Sequence, residues 1–279
     1  IDVREAGKEI VYQIENHARL QGMRYVRLDC IVGNQRLNTW YENLGYEYVR
    51  TITDGEYQGN LREKELMTDI RSIIGKLKAD SNNFYIYDEC WIRKCVSRLR
   101  TCFPQVKFLY SIKCNNNRHV MRSVFNQGLG ADAASAREVE LAAECGLPKD
   151  EIYYSAPGKT RKDIEEALDK SIIIADSINE ITLIDNIARE RGAIYEIGIR
   201  LNPDFSFYSE TGMPSKFGVD EGQAIDFIKS NQCHNVRICG IHVHLRSQEL
   251  NPSVLERYYE KMIDLAERFS EICGPLRYL

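Results

Sequence analysis

From Phe84 onward, short apolar runs alternate with helical stretches, and this alternation restricts the possible folds more than any other feature of the chain. The runs are KFLYSIK, GADAAS, EIYYSA, SIIIADS, YEIGIRLN and VRICGIHVHL, with REVELAAECG, RKDIEEALDK and INEITLIDNIARERG between them. Nearly continuous apolar strands joined by helices describe a parallel sheet covered on both faces. Six such βα units predict an α/β fold, a partial TIM-like (β/α)8 barrel, with a doubly wound sheet as the alternative that the pattern leaves open.

The first fifty residues have a different texture. Ile10, Val11, Ile14, Ala18 and Leu20 lie at helical spacing with Gly22 behind them, which predicts a helix over 8–20. YVRLDCIV (25–32) alternates like a strand, NQRLNTWYENLG reads as a short helix stopped by Gly45, and YEYVRTI resumes strand character. Residues 53–62, TDGEYQGNLR, hold turn formers and few apolar side chains, and EKELMTDIRSIIGKLKADSNN (63–83) predicts a helix. The expected division is a small α+β unit over 1–52, a linker and helix over 53–80, and the barrel over 81–279.

Lysine and arginine total 37 against 41 acidic residues, a balance that argues against a nucleic-acid or anionic-membrane surface and for a small-molecule partner. Nine cysteines are scattered from Cys30 to Cys273 without a CxxC pair or a Cys/His metal-ligand cluster. Reduced thiols in the cytoplasm are expected. No export signal and no run of eighteen apolar residues occurs in the sequence. The chain opens without methionine and stops at the apolar, strand-like CGPLRYL, so a fragment of a longer protein is expected.

In barrels the reacting groups sit at the C-terminal ends of the strands. Polar residues fall there in each unit: Lys113; Asp132 and Ser135; Lys159; Asp176 and Ser177; Arg200 and Asn202; His242 and His244. A lysine held among apolar strands has its charged form disfavoured, which frees the amine to attack a carbonyl and form a Schiff base. The alternative for Lys113 is a solvated cap on a strand end.

FLYSIKCN resembles the cofactor-lysine motif of the fold-type III pyridoxal-phosphate decarboxylases, the alanine-racemase-like barrel family that acts on ornithine, diaminopimelate, arginine and related amino acids. GLGADAASAREVELA, YYSAPGKTRKDIEEAL, IADSINEI, IRLNPDFSFYSETGMPSKFGV and GIHVHLRSQ follow in family order, so the resemblance covers about residues 82–279. It implies that Lys113 forms the Schiff base with pyridoxal 5'-phosphate, which then serves as electron sink for the carbanion left by departing carbon dioxide. His244 matches the histidine stacked on the pyridine ring and Ser247 a serine that helps hold the phosphate. Asp132 and Arg200 match polar residues lining the cofactor pocket. Each has a plainer alternative: a core histidine, a strand-end cap, a buried ion pair or a strand-end hydrogen bond. The family reads His-x-Gly-Ser where this chain has HLRS, so Arg246 replaces a glycine. The family's glycine-rich phosphate loop, its glutamate facing the pyridine nitrogen and its β-domain would follow Leu279, and FYIYDE (84–89) resembles the strand that joins that β-domain. Residues 1–279 are therefore expected to hold an incomplete site with little activity by themselves. A basic or diamino amino-acid substrate and a homodimer are implied for the full-length form. A catalytically silent cofactor- or partner-binding homologue and a racemase are the alternatives.

GKEIVYQIENHARLQGMRYVRLDCIVGNQRLNTWYENLGYEYV (7–49) resembles the C-terminal half of the GNAT acetyl-CoA-dependent N-acetyltransferases. The resemblance implies that Gly7 closes the pyrophosphate loop at a helix N-terminus, that Asn34 lies near the pantetheine arm, and that Tyr41 protonates the departing thiolate. A turn asparagine and a core tyrosine on a helix face are the alternatives for the latter two.

Overall fold

In the computed structural model, which describes residues 3–21, 23–66, 74, 85–230, 232–244 and 249–279, the chain divides into two units, Ile1–Ile86 and Tyr87–Leu279. The first unit contains α1 (Val3–Leu20), β1 (Tyr25–Ile31), α2 (Gln35–Asn43), β2 (Glu47–Asp54) and β3 (Tyr57–Glu65). β3 is the central strand, antiparallel to both β1 and β2. The Asn34 side chain caps α2 by accepting from the Leu37 amide at 3.0 Å. Gly45 follows the helix at φ +87°, a left-handed conformation that glycine adopts without strain.

Residues 53–62, expected to be a linker, instead form the β2–β3 hairpin and part of the sheet. Apolar alternation does not mark β3, because its buried contacts are polar. Arg62 is buried and donates to Asn38 Oδ1 at 3.1 Å and Glu42 Oε1 at 2.8 Å. Lys64 Nζ donates to both oxygens of buried Glu15 at 2.9 and 3.0 Å, and the Tyr46 hydroxyl donates to the same carboxylate at 3.1 Å. The helix expected over 63–83 begins with residues of β3, and most of the remainder lies outside the described residues.

The second unit opens with α3 (Glu89–Cys102), capped by the Asp88 side chain, which accepts from the Cys90 and Trp91 amides. FYIYDE is therefore not the strand expected there: Tyr85 to Asp88 form no regular element, and Phe84 lies outside the described residues. Next come β4 (Leu109–Ser111), α4 (Arg118–Phe125), β5 (Gly130–Ala133), α5 (Ala136–Glu144), β6 (Ile152–Tyr154), α6 (Arg161–Ala167), β7 (Ile172–Ala175) and α7 (Ile178–Glu190). β8 (Tyr195–Asn202), β9 (Val219–Asp220), α8 (Glu221–Ser230), β10 (Val236–Val243) and α9 (Pro252–Cys273) complete it. Every strand pair is parallel and the order is β4-β5-β6-β7-β8-β10, with β9 beside the end of β8. Each new strand is added beside the last without reversal. A doubly wound sheet reverses direction at a switch point, so the order identifies a partial TIM-like barrel.

Side chains alternate along each strand between two buried faces. Ile112, Ala131, Ala133, Ile152, Tyr154, Ile173, Ala175, Ile197, Ile199 and Leu201 face the helices and form the main core with Val139, Ile164, Ile181 and Leu265. On the inner face Tyr153, Ile172 and Ile174 pack with Tyr278. Gly198 and Gly240 are paired across β8 and β10, and the ring of Tyr278 occupies the space they leave. A Cβ on Gly240 would lie 2.1 Å from a Tyr278 ring carbon, and one on Gly198 would lie 2.6 Å from its hydroxyl. Tyr278 also meets Tyr153 edge-on at 5.1 Å, and its carbonyl accepts from the Ile241 amide at 3.3 Å. All nine cysteines are free thiols, and among the described residues no helix is long and apolar enough to cross a membrane.

Gly240 therefore owes its identity to the aromatic ring beside it, and Gly198 to that ring together with Ile174, whose Cδ1 would lie 2.5 Å from an added Cβ. Gly240→Ala should lower stability by about 1–3 kcal/mol, the usual cost of overpacking. The same substitution on a Tyr278→Leu background should cost less than half as much. Urea unfolding of the four proteins in this cycle tests the coupling, and purely additive costs would refute it.

Candidate cofactor site at the strand ends

One step nearer the C-terminal ends, the inner face changes character from apolar to polar. Ser111 pairs with Asp132 across β4 and β5, and Arg200 pairs with His242 across β8 and β10. Ser155 and Asp176 directly follow β6 and β7. Asp132 is fixed by its neighbours: the Ser111 hydroxyl donates to Oδ2 at 3.1 Å and the Ser155 hydroxyl to Oδ1 at 2.5 Å. Neither serine stands out in the sequence. The available signal is the alternation itself, which puts Ser111 and Ser155 on the same face as Asp132.

Arg200 is buried, and its Nη1 lies 3.1 Å from Asp176 Oδ1 while its guanidinium covers the Phe217 ring at 5.0 Å. Behind this pair, the fully buried Lys159 ammonium donates to Glu180 Oε2 at 3.0 Å, to the Ile174 carbonyl at 2.7 Å and to the Ala156 carbonyl. Glu180 accepts in addition from the backbone amides of Lys159 and Asp176 at 3.1 and 3.0 Å. Burial pushes the Lys159 pKa down, and the Glu180 carboxylate opposes that shift. Lys159 is thus an internal brace. Two other strand-end candidates are helix caps: Ser135 and Ser177 accept from the Glu138 and Glu180 amides, both at 3.2 Å. Asn202 donates to Asp220 at 2.8 Å.

His242 is different. Its Nδ1 is buried with no hydrogen-bond partner among the described residues. Burial first, and the Arg200 guanidinium second, push its pKa down to about 4, against the opposing effect of Asp132. The imidazole is neutral at pH 7. It lines a cavity of about 320 Å³ together with Asp132, Ser155, Ile174 and Tyr278.

Lys113 corrects one expectation. It sits in a 3-10 turn, Ile112–Cys114, directly after β4 and is exposed, so the desolvation expected for it is absent. The turn itself is well anchored. Ile112 is wholly buried, the Asn115 amide donates to its carbonyl at 3.0 Å, and the Tyr110 hydroxyl donates to the Asn115 carbonyl at 3.0 Å. His244 is exposed just past the end of β10. Ser247 and Arg246 lie outside the described residues.

In the first unit, Gly7 lies inside α1 and not in a loop before it, and its Cα faces the Trp40 ring. Gly7 and Asn34 line one open groove of about 770 Å³ together with Arg36, Leu37 and Trp40. Tyr41 does not line it. Its ring packs edge-on against Trp40 and Tyr46 at 4.9 and 5.6 Å.

Comparison with known proteins identifies relatives of the second unit. Diaminopimelate decarboxylase of Aquifex aeolicus is 32% identical over 226 residues, covering 78% of this chain and 54% of that protein. The L-glutamyl-[BtrI acyl-carrier protein] decarboxylase of Niallia circulans is 33% identical over 219 residues, covering 74% and 51%. The crystal structure of diaminopimelate decarboxylase from M. jannaschii in co-complex with L-lysine superposes with TM-score 0.65 and 26% identity, covering 73% of this chain and 51% of that one. The chain spans about half the length of the curated relatives it matches. Residues 90–279 match the family model described as pyridoxal-dependent decarboxylase, pyridoxal binding domain, and the chain belongs to that family.

Proposed function

We propose that the second unit binds pyridoxal phosphate at the C-terminal ends of its strands and that the full-length protein decarboxylates a basic or diamino amino acid. The observation that carries this reading is the polar layer of Asp132, Arg200 and His242 beside the turn that presents Lys113. The residues fit the cofactor: a buried imidazole nitrogen lacks a partner, a cavity opens beside it, and a reachable amine follows the first strand. When bound, pyridoxal phosphate supplies the electron-withdrawing ring that accepts the electron pair released as carbon dioxide leaves. Lys113 is the amine that holds its aldehyde, and the exposed turn leaves that amine accessible. Asp132, with both oxygens held by serines, is an oriented hydrogen-bond acceptor. Asp176 and Phe217 fix the direction of the Arg200 guanidinium. Ser247, which lies outside the described residues, is proposed as a phosphate-holding residue on the family resemblance alone. The substrate class is supported by relatives named for diaminopimelate and for lysine/ornithine.

In the first unit we propose an acetyl-CoA-binding groove around Gly7 and Asn34. Their meeting in one groove supports it. The helical setting of Gly7 and the use of Asn34 as a cap weigh against it.

Borohydride reduction in the presence of pyridoxal phosphate should place a stable label on Lys113, located by peptide mass spectrometry, and Lys113→Ala should lose it. A label spread evenly over exposed lysines would reject the cofactor reading. The full-length protein should release carbon dioxide from one or more of diaminopimelate, lysine, ornithine and arginine; release from none of them would reject the substrate class. Titration with acetyl-CoA in a calorimeter should give heat that Arg36→Glu abolishes, and a flat trace for the native chain would eliminate the groove proposal.

A further inference from the structure

The polar groups around the strand ends are almost all provided for. Asp132 has its two serines, Arg200 has Asp176, Lys159 has Glu180 and Asn202 has Asp220. Among the described residues, only Ser123 Oγ and His242 Nδ1 are buried side-chain atoms without a partner. Ser123 lies on helix α4, away from the strand ends, whereas His242 lines the cavity. An unpaired nitrogen in a protein interior costs stability that a leucine at the same place would not. The core around β10 is otherwise built of such residues, Ile241 among them.

We infer that His242 is a cofactor-contacting residue whose Nδ1 makes its hydrogen bond to a polar substituent of the pyridine ring only when pyridoxal phosphate occupies the pocket. This rests on the proposed function, and it assigns a second histidine of GIHVH to the site in addition to His244. The register on the neighbouring strand fixes its position, because His242 is paired with Arg200, itself held by Asp176. The charged and titratable groups facing the imidazole are Arg200 from β8, Asp132 from β5, His244 from the end of its own strand and Lys159 from the segment before α6. Two of these are cations, and together with burial they keep the ring neutral. A neutral imidazole offers one donor and one acceptor nitrogen, so it serves a ring hydroxyl in either sense without adding charge beside Arg200.

The test separates folding from binding. His242→Leu removes the orphaned atom and should raise the thermal midpoint of the chain without cofactor, yet weaken pyridoxal phosphate binding about tenfold, the loss of one good hydrogen bond. Binding is read from the visible absorbance of the bound cofactor. His242→Asn keeps an amide nitrogen near the Nδ1 position and should stay within about threefold of native, while His242→Gln, which moves it outward, should resemble leucine. The pH dependence provides a check on neutrality. The folded imidazole takes its proton only near pH 4 and the unfolded one near 6.5, so native stability declines as pH falls through that window. His242→Leu should lack that part of the decline. Equal cofactor affinity in native and His242→Leu proteins would overturn the inference while leaving the cofactor reading intact. A native chain that binds no pyridoxal phosphate would overturn both. If His242→Leu does not fold, equal weakening in the asparagine and glutamine variants overturns the Nδ1 contact, and selective retention by asparagine upholds it.

Discussion

The alternation of side chains along parallel strands buried on both faces is the constraint on which the second unit depends. In such a sheet a residue cannot be moved to water; it goes either to the helices or to the barrel interior. Along the strands, Tyr153, Ile174, Gly198 and Gly240 form a lower set on the inner face, and the next inward positions on the same strands, Ser155, Asp176, Arg200 and His242, form a polar upper set that Asp132 joins through its hydrogen bond from Ser155. The lower level is filled by packing, with Tyr278 seated against the two glycines. A polar upper level is tolerable only where hydrogen bonds or a ligand replace lost water.

The buried ions show how that tolerance is reached. Lys159 is wholly excluded from solvent, but its ammonium has three acceptors, and Glu180 answers with bonds to two backbone amides. Such pairs add little net stability against an apolar replacement, and losing one partner alone costs several kcal/mol. The network therefore acts chiefly to hold geometry. Because Glu180 grips the Asp176 amide, and Asp176 grips Arg200, the orientation of the guanidinium is inherited from an ion pair on the other side of β7.

The sequence pattern made most of the second unit legible, because βα alternation records burial on two faces. Asp132, Arg200 and His242 lie on the inner face near strand ends, as the pattern expects, whereas His244 is exposed just past β10. Lys113 shows the limit of that logic: position at a strand end does not imply burial, since the chain turns immediately into a 3-10 segment that leaves the amine outside. Ser135 and Ser177 fail for a related reason, as the residue after a strand is also the residue before a helix, where an N-cap is worth about 1 kcal/mol. β3 was illegible because Arg62 and Lys64 fill its inward positions and their partners, Asn38, Glu42 and Glu15, are distant in sequence. Ser111 and Ser155 became visible only when register brought them to one carboxylate.

Charge pairing in the upper level also orders what a ligand meets there. Arg200 is matched by Asp176 and Lys159 by Glu180, whereas among the described residues Asp132 has serine donors and no ion-pair partner. His242 is neutral. Asp132 is therefore the carboxyl group of this layer that meets hydroxyls and no cation among the described residues, in a partly dry setting where Coulomb effects exceed those in water. A phosphate dianion is disfavoured next to Asp132, and a cationic amine or a protonated ring is favoured there.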